Sequence, residues 1–436
     1  MKKYFSFILV LFVIIGLFGC GSKEITSGEI IKFDETQTKE TILKVWVDDS
    51  DGKLMEEIKP AFEAANPGIV VEYQHMATVD SREKLKTYGR SGYGADVFQF
   101  PHDHMAQAIL DDLVYVLPDS LMTKLEEKCL PVAMKIAESN YDEQTGTFTG
   151  STKKLFAVPI SIESVVIYYN KDLLSADGIE LPKTMEELLK ISAEYKEKHG
   201  NYGFATSSHW ADAYFLQAFY GAFGWTPFGK DLNDQTEVGF EKAEAKAAIK
   251  WMLENVKPGT TGNGNTDSIQ GTSLFEEGKI PFLLSGPWAV PGFKNSNINF
   301  GAMQIPTING NKATTFAGAQ MLAVYKYSKN KEAAVKYVEF MASEEAAEIL
   351  YRTSGDCPAL REDIINEIPG IKDDESIQVM LEQLSSSVPM PTIPQVTYYW
   401  APAETMMKNL WNKEGNIDEE VAKAEKSYKA SRDLAS

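Results

Sequence analysis

The chain is poor in the residues from which most reaction centres and metal sites are built. Of 436 residues only 5 are histidine and 3 are cysteine. No cysteines stand at CxxC or zinc-ligand spacing, which excludes the familiar redox and structural-zinc motifs. "PHDHM" offers His102, Asp103 and His104, but neighbours on one loop grip an ion only when distant partners converge on it. No metal and no other cofactor is therefore expected. GxSxG, a P-loop, HExxH and a GxGxxG followed by a suitably placed acid are all missing, so the common hydrolase, nucleotide-binding and dinucleotide-binding signatures are excluded. Positive charge is scarce too: 43 Lys and Arg face 62 Asp and Glu, a formal net charge of -19. Nucleic acid, which needs clustered cations, is not an expected partner. The chain has no internal repeat and no low-complexity block.

What is present begins with "MKKYFSFILVLFVIIGLFGCGS". Two lysines, an apolar run from Phe7 to Phe18 and small residues around Cys20 read as an export signal. The run is short for a spanning helix, which needs roughly 20 apolar residues. "LFGC" resembles a bacterial lipobox, so residues 1–19 are expected to be removed and Cys20 lipidated. Its acyl chains would hold the protein on the cell membrane, each buried methylene contributing about 0.8 kcal/mol. The competing readings are a plain anchor or an ordinary signal that contains a cysteine, and Phe18 is an unusual lipobox residue. Residues 20–40 then form a polar tether. Of the remaining cysteines, Cys129 and Cys357 can be two buried thiols or one bridge.

About 400 residues follow, too many for one core, and two lobes are expected. Strand and helix patterns alternate. "LKVWV" (43–47) is a strand, and the next segment puts Leu54, Ile58, Phe62 and Ala65 on one helical face, with a kink expected at Pro60. "IVVEYQHM" (69–76) and "ADVFQF" (95–100) are further strands, separated by a polar helix over 80–90. This alternation predicts mainly parallel sheets with flanking helices. Beyond "LFAVPISIESVVIYYNKDLL" (155–174) helices lengthen. Thr184 and Glu187 make a capping box and Gly200 ends that helix. "IPFLLSG" is a short buried strand, and in the last helix Ile417, Val421, Ala424 and Tyr428 share a face.

Aromatic residues beside acids or prolines recur at predicted strand ends: Phe100 before "PHDH", Tyr214 after Asp212, Trp288 in "LLSGPWAV" and Trp400 in "PMPTIPQVTYYW". Strand ends of open α/β sheets are where ligands bind. A flat apolar ring flanked by carboxylates suits a sugar, which has an apolar C–H face and a rim of hydroxyls. An aromatic face removed from water contributes roughly 1.5 to 3 kcal/mol, and a hydroxyl bonded to an ionised acid a similar amount. After ordering costs, three or four such contacts leave about 8 kcal/mol, a micromolar affinity. Taken singly, a Trp or Tyr is more often core than platform, and Tyr398 and Tyr399 are assigned no ligand role.

Together "PAFEAANPGI", "GADVFQFPHDHMAQAILDDL", "AVPISIESVVIYYNKDLL", "LLSGPWAV" and "MPTIPQVTYYW" resemble the maltose and maltodextrin-binding family of extracellular solute-binding proteins, over nearly the whole chain from Leu43. The resemblance implies a two-lobe periplasmic-binding-protein-like (Venus flytrap) α/β fold with several hinge crossovers. It implies lobes at 41–161 with 320–370 and at 162–319 with 371–436. It implies a monomer without enzymatic activity that captures an oligosaccharide and hands it to ABC permease subunits. The implied ligand residues are Phe100, Asp103, Glu163, Asp212, Tyr214, Trp288 and Trp400, with Asp51 a further contact. His104 and Glu404 stand where the best-known maltose receptors carry arginines, so importer class is better defined than sugar identity. The rival from another class is a secreted glycoside hydrolase using Glu163 and Asp212. On the platform reading, alanine at Trp288 or Trp400 weakens binding by about 2 kcal/mol or more and leaves melting of the free protein nearly unchanged.

Overall fold

The computed structural model describes residues 40–435 except 149, 263, 265–269 and 414. The export signal, Cys20 and nearly all of the tether lie outside the described residues. Thirteen strands are described: β1 (Thr41–Val47), β2 (Ile69–His75), β3 (Val97–Pro101), β4 (Glu138–Ser139), β5 (Lys154–Leu155), β6 (Val158–Glu163), β7 (Val166–Asn170), β8 (Phe204–Thr206), β9 (Phe282–Ser285), β10 (Phe300–Met303), β11 (Phe316–Val324), β12 (Cys357–Pro358) and β13 (Val388–Pro389). They form one sheet ordered β12-β6-β11-β3-β1-β2 with β13 beside β11, a second ordered β10-β7-β9-β8, and a small β4-β5 pair. Two lobes, one on each main sheet, are the outcome expected for a chain of this length.

The sheets are more mixed than simple alternation of strand and helix implied. β1 pairs in parallel with β2 and β3, and β8 with β9. β11 runs antiparallel to both β3 and β6, and β7 antiparallel to both β9 and β10. The reason is topological: β11 enters the first sheet from the other lobe rather than through a helix lying on that sheet, so the right-handed crossover that enforces parallel pairing is absent.

Local sequence explains the helices. The Thr184 hydroxyl accepts from the Glu187 N–H at 3.1 Å, and the Glu187 carboxylate accepts from the Thr184 N–H at 3.3 Å, capping the helix Met185–His199. Gly200 closes it at φ 85°, a left-handed conformation that glycine adopts without a Cβ penalty. The helix Lys53–Ala65 runs on through Pro60, with Leu54, Ile58 and Phe62 buried. In Ile417–Ala435, Val421, Ala424 and Tyr428 are buried as the periodicity predicts. Cys129 and Cys357 are both free, buried thiols. Burial pushes the Cys129 thiol up to about 12, which leaves it unreactive.

Three connections pass between the sheets: Ser164 and Val165 after β6, the segment between β10 and β11, and the return through β13. Each contributes one hydroxyl to a common knot. The Ser164 and Thr315 hydroxyls are 2.7 Å apart, and the Thr315 hydroxyl, with one proton to share, also lies within hydrogen-bond reach of Ser387. Ser164 donates further to the Phe316 carbonyl at 2.9 Å, and Ser387 to that of Gln383 at 3.0 Å. Ser164 and Thr315 are fully buried, and their mutual bonding is what makes hydroxyls tolerable at this depth. The knot holds the strand ends of the two lobes face to face.

Candidate ligand-binding cleft

Between the lobes lies a cavity of about 490 Å³, with walls from Asp48, Asp49, Asp51, Gln99, Glu163, Gln320, Ser354 and Asp356 on the first-sheet side and Trp288 and Pro291 on the other. Much of the wall comes from strand ends and the loops beside them: Asp48–Asp51 follow β1, Glu163 ends β6, Asp356 precedes β12 and Trp288 follows β9, while Gln99 and Gln320 reach it from within β3 and β11. Five of these side chains are carboxylates and the cations are few. Lys53, also in the wall, is tied to Asp51 at 2.7 Å.

The second lobe supplies rings. Trp288 is 42% exposed, unusual for a tryptophan. It lies back over its own chain: a Cβ on Gly286 would come within 2.2 Å of the indole. Tyr214 lies 6.2 Å from Trp288 and 6.1 Å from Phe316, and Phe316 lies 6.2 Å from Trp400. These rings run as one chain from the cavity to the start of the helix Trp400–Lys413. The indole N–H of Trp400 donates to Asp103 Oδ2 at 3.0 Å. This bond joins the first lobe to the second across 297 positions of sequence. Gly318 permits another close approach, since a Cβ there would sit 2.9 Å from Glu163 Cγ and 3.0 Å from the Tyr214 hydroxyl.

Because Gly286 makes room for the Trp288 ring, Gly286→Ala is expected to swing that ring away. Affinity for the ligand should fall by about tenfold, or about 1.4 kcal/mol, with melting of the free protein unchanged; calorimetry and a thermal scan check this.

Three acids in or beside the cleft favour the neutral form, whereas the bond from Lys53 holds the Asp51 carboxyl below its ordinary value. Burial first, then repulsion from Asp356 and Asp103, push the Glu163 carboxyl up to about 8, against the pull of Gln320. Burial raises Asp103 to about 7 although the Trp400 N–H opposes it. Burial also raises Asp356, with Asp48 adding to it. Crowding like charges away from water disfavours ionisation of each.

Of the residues singled out from sequence, Asp51, Glu163 and Trp288 line the cavity itself, and Tyr214, Trp400 and Asp103 adjoin it through ring contacts and the indole bond. Asp212 caps the helix Ala213–Ala222, accepting from the Tyr214 N–H at 3.0 Å and from the Ser208 hydroxyl at 2.6 Å. Phe100 corrects the expectation drawn from its position before "PHDH": it is 0% exposed and stacks on Phe98 at 5.2 Å. β3 is an interior strand flanked by β1 and β11, so its rings enter the core on either face. His102 is wholly buried and neutral, its Nδ1 accepting from the Ala319 N–H at 3.1 Å, and burial lowers it to about 4. Among the described residues no group of His, Cys, Asp and Glu is arranged to hold a metal.

Sequence reasoning passed over Asp48, Asp49, Gln99, Gln320 and Asp356. Only Gln320 carried a legible signal, as the lone polar residue within "FAGAQMLAV".

Two α/β lobes tied by three connections, with a cavity enclosed between their strand ends, define a hinged solute trap. The chain belongs to the bacterial extracellular solute-binding protein family, whose model matches residues 47–348, and such a protein works outside the cytoplasm. Among its relatives, the galactooligosaccharide-binding protein of Bacillus subtilis is 28% identical over 94% of this chain and 92% of its own length. A maltooligosaccharide ABC transporter solute-binding lipoprotein of Streptococcus pneumoniae is 28% identical over 90% and 88%. The maltodextrin-binding protein of Bacillus subtilis is 27% identical over 93% and 92%. A crystal structure of a cyclo/maltodextrin-binding protein with maltotetraose superposes with a TM-score of 0.73 at 25% identity, covering 91% of this chain and 98% of that one.

Proposed function

We propose that this protein captures maltodextrin-type oligosaccharides by closing its lobes around them and delivers them to an ABC permease. The observation that carries the reading is the exposed indole of Trp288 facing a wall of acids and amides on the opposite lobe. The ring offers a stacking face for the sugar's C–H surface, and the acids meet its hydroxyl rim. With lobes at about 41–161 plus 320–370 and 162–319 plus 371–436, ligand contacts come from both sides, so binding favours the closed state by differential contact. Relatives whose names state maltooligosaccharide or maltodextrin binding support the substrate class. The galactooligosaccharide-binding relative supports a second reading with a different sugar.

Calorimetry with maltotriose, maltotetraose and a galactooligosaccharide tests the two together. Micromolar binding of the glucans, with the galactoside weaker, is expected; the reverse order favours the second reading, and no heat with any of them removes both. The protein acts as a receptor rather than an enzyme: Asp212 is committed to its helix cap, which argues against a hydrolytic pair with Glu163. We place it as a monomer on the membrane through lipid on Cys20, in keeping with the lipoprotein among its relatives. Cys20→Ser should release the protein from cells into the medium, as fractionation would read; retention on the membrane would rule the lipid anchor out.

A further inference from the structure

β11 has nine residues, and eight of them are buried. The exception is Gln320, in the middle of an otherwise apolar strand that pairs on both sides. Its register against β6 slips between Gln320 and Met321. Such an irregularity re-aims a side chain, and here the side chain reaches the cavity wall beside Glu163 and opposite Trp288. At one end of its amide, Nε2 donates to Glu163 Oε1 at 3.3 Å. At the other, Oε1 is buried with no hydrogen-bond partner.

An unpaired buried carbonyl is costly, and the nearby protein groups do not relieve it. Gln99, its neighbour in the wall, turns its own Oε1 toward the Asp48 N–H at 2.9 Å. The Lys53 ammonium is held by Asp51. The remaining wall groups around it are mostly carboxylates, and none of them, protonated or ionised, meets Oε1 in hydrogen-bond geometry. What Oε1 lacks is a donor within reach, and a sugar hydroxyl is one that can also accept in turn from a neighbour. The Trp288 indole across the cavity would set the sugar plane, leaving hydroxyls at its edge to meet the β11 side.

We propose that Gln320 is a specificity-determining residue of the cleft: Oε1 accepts from a hydroxyl of the bound oligosaccharide while Nε2 holds the Glu163 carboxyl in position for another. This deepens the oligosaccharide-receptor reading and rests on it. A site built to bond a particular hydroxyl discriminates against a sugar that lacks it or points it elsewhere, because the buried carbonyl is then left unpaired.

The test compares wild type with Gln320→Met, which keeps length but neither pairs nor donates, and with Gln320→Glu, which keeps an acceptor. Each is titrated calorimetrically with maltotriose, maltotetraose and a galactooligosaccharide, and each is melted without ligand. For Gln320→Met we expect at least a tenfold loss of affinity for the preferred sugar, a smaller ratio between preferred and disfavoured sugars, and a free-state melting temperature no lower than wild type. Gln320→Glu should bind the preferred sugar more tightly than Gln320→Met. Wild-type affinities and an unchanged ratio in Gln320→Met would overturn the assignment, as would a uniform loss accompanied by a lowered melting temperature, which marks a packing residue. If wild type binds none of the sugars, the receptor reading fails and takes this inference with it; if wild type binds and the variants do so equally, only the role of Gln320 fails.

Discussion

Replacing Trp400 by alanine is expected to weaken sugar binding by about 2 kcal/mol or more and also to lower the melting temperature of the ligand-free protein. Trp288→Ala should weaken binding by a similar amount and leave free-state melting unchanged. The two rings looked equivalent in sequence, each a tryptophan beside a proline at a predicted strand end. In the fold they differ. Trp288 is 42% exposed, so its removal uncovers little that was dry. Trp400 packs on Tyr399 at 4.9 Å and Phe316 at 6.2 Å, and its N–H satisfies a carboxylate on Asp103, which is only 8% exposed. Deleting a partner of a buried polar group costs about 1 to 3 kcal/mol beyond the lost packing. Trp400→Phe separates the contributions, keeping a stacking face but no donor; it should retain more affinity than alanine while still melting below wild type. Calorimetry beside thermal scans checks all three variants, and a Trp400→Ala protein that melts like wild type would show that the interlobe bond holds nothing together.

That contrast also marks what was legible from the chain. Hydrophobic periodicity placed β1, β2, β3 and the helix Lys53–Ala65 that follows β1, because alternation and the i, i+4 face are local properties. Thr184, Glu187 and Gly200 announced a helix from end to end for the same reason. The mixed pairing of β11 was hidden: whether a strand enters a sheet from a helix on its own lobe or from the opposite lobe is decided by contacts far away in sequence. Acidic and aromatic strand ends pointed toward the cleft, yet Phe100 has the same local pattern as Trp288 and is core. Both β3 and β9 are interior strands, but Phe100 lies within β3 while Trp288 lies past the end of β9, and a pentapeptide carries no record of where the strand stops. The cavity acids Asp48, Asp49 and Asp356 look like ordinary surface residues until the fold brings their loops together.

Glu163→Gln is expected to stabilise the ligand-free protein in alkaline solution while impairing ligand capture. The Glu163 carboxyl is raised in the folded state from an ordinary 4.5 to about 8, chiefly by burial and then by Asp356 and Asp103. At a pH below the ordinary value both folded and unfolded chains hold this proton, and the group has no effect on stability. As pH rises, the unfolded chain releases the proton while the folded one keeps it, so stability falls steadily until the folded carboxyl ionises near pH 8. Asp103, raised to about 7, acts in the same direction over a narrower window. A glutamine at 163 removes the larger contribution without changing side-chain length. Wild type and Glu163→Gln should therefore melt together near pH 5 and diverge by pH 8.5, with the variant higher. Each pKa unit corresponds to about 1.4 kcal/mol; the Glu163 side chain is only half-buried, so only a fraction of the full shift should register, a rise of about 2 °C or more. Thermal scans across that pH range read the result, and equal melting at pH 8.5 would mean that the carboxyl ionises freely in the open cleft. A residue that destabilises its own fold at the junction of two lobes is a common mark of selection for binding over stability, and here the acid sits beside Gln320 and across from Trp288, where a sugar's hydroxyl rim would reach it.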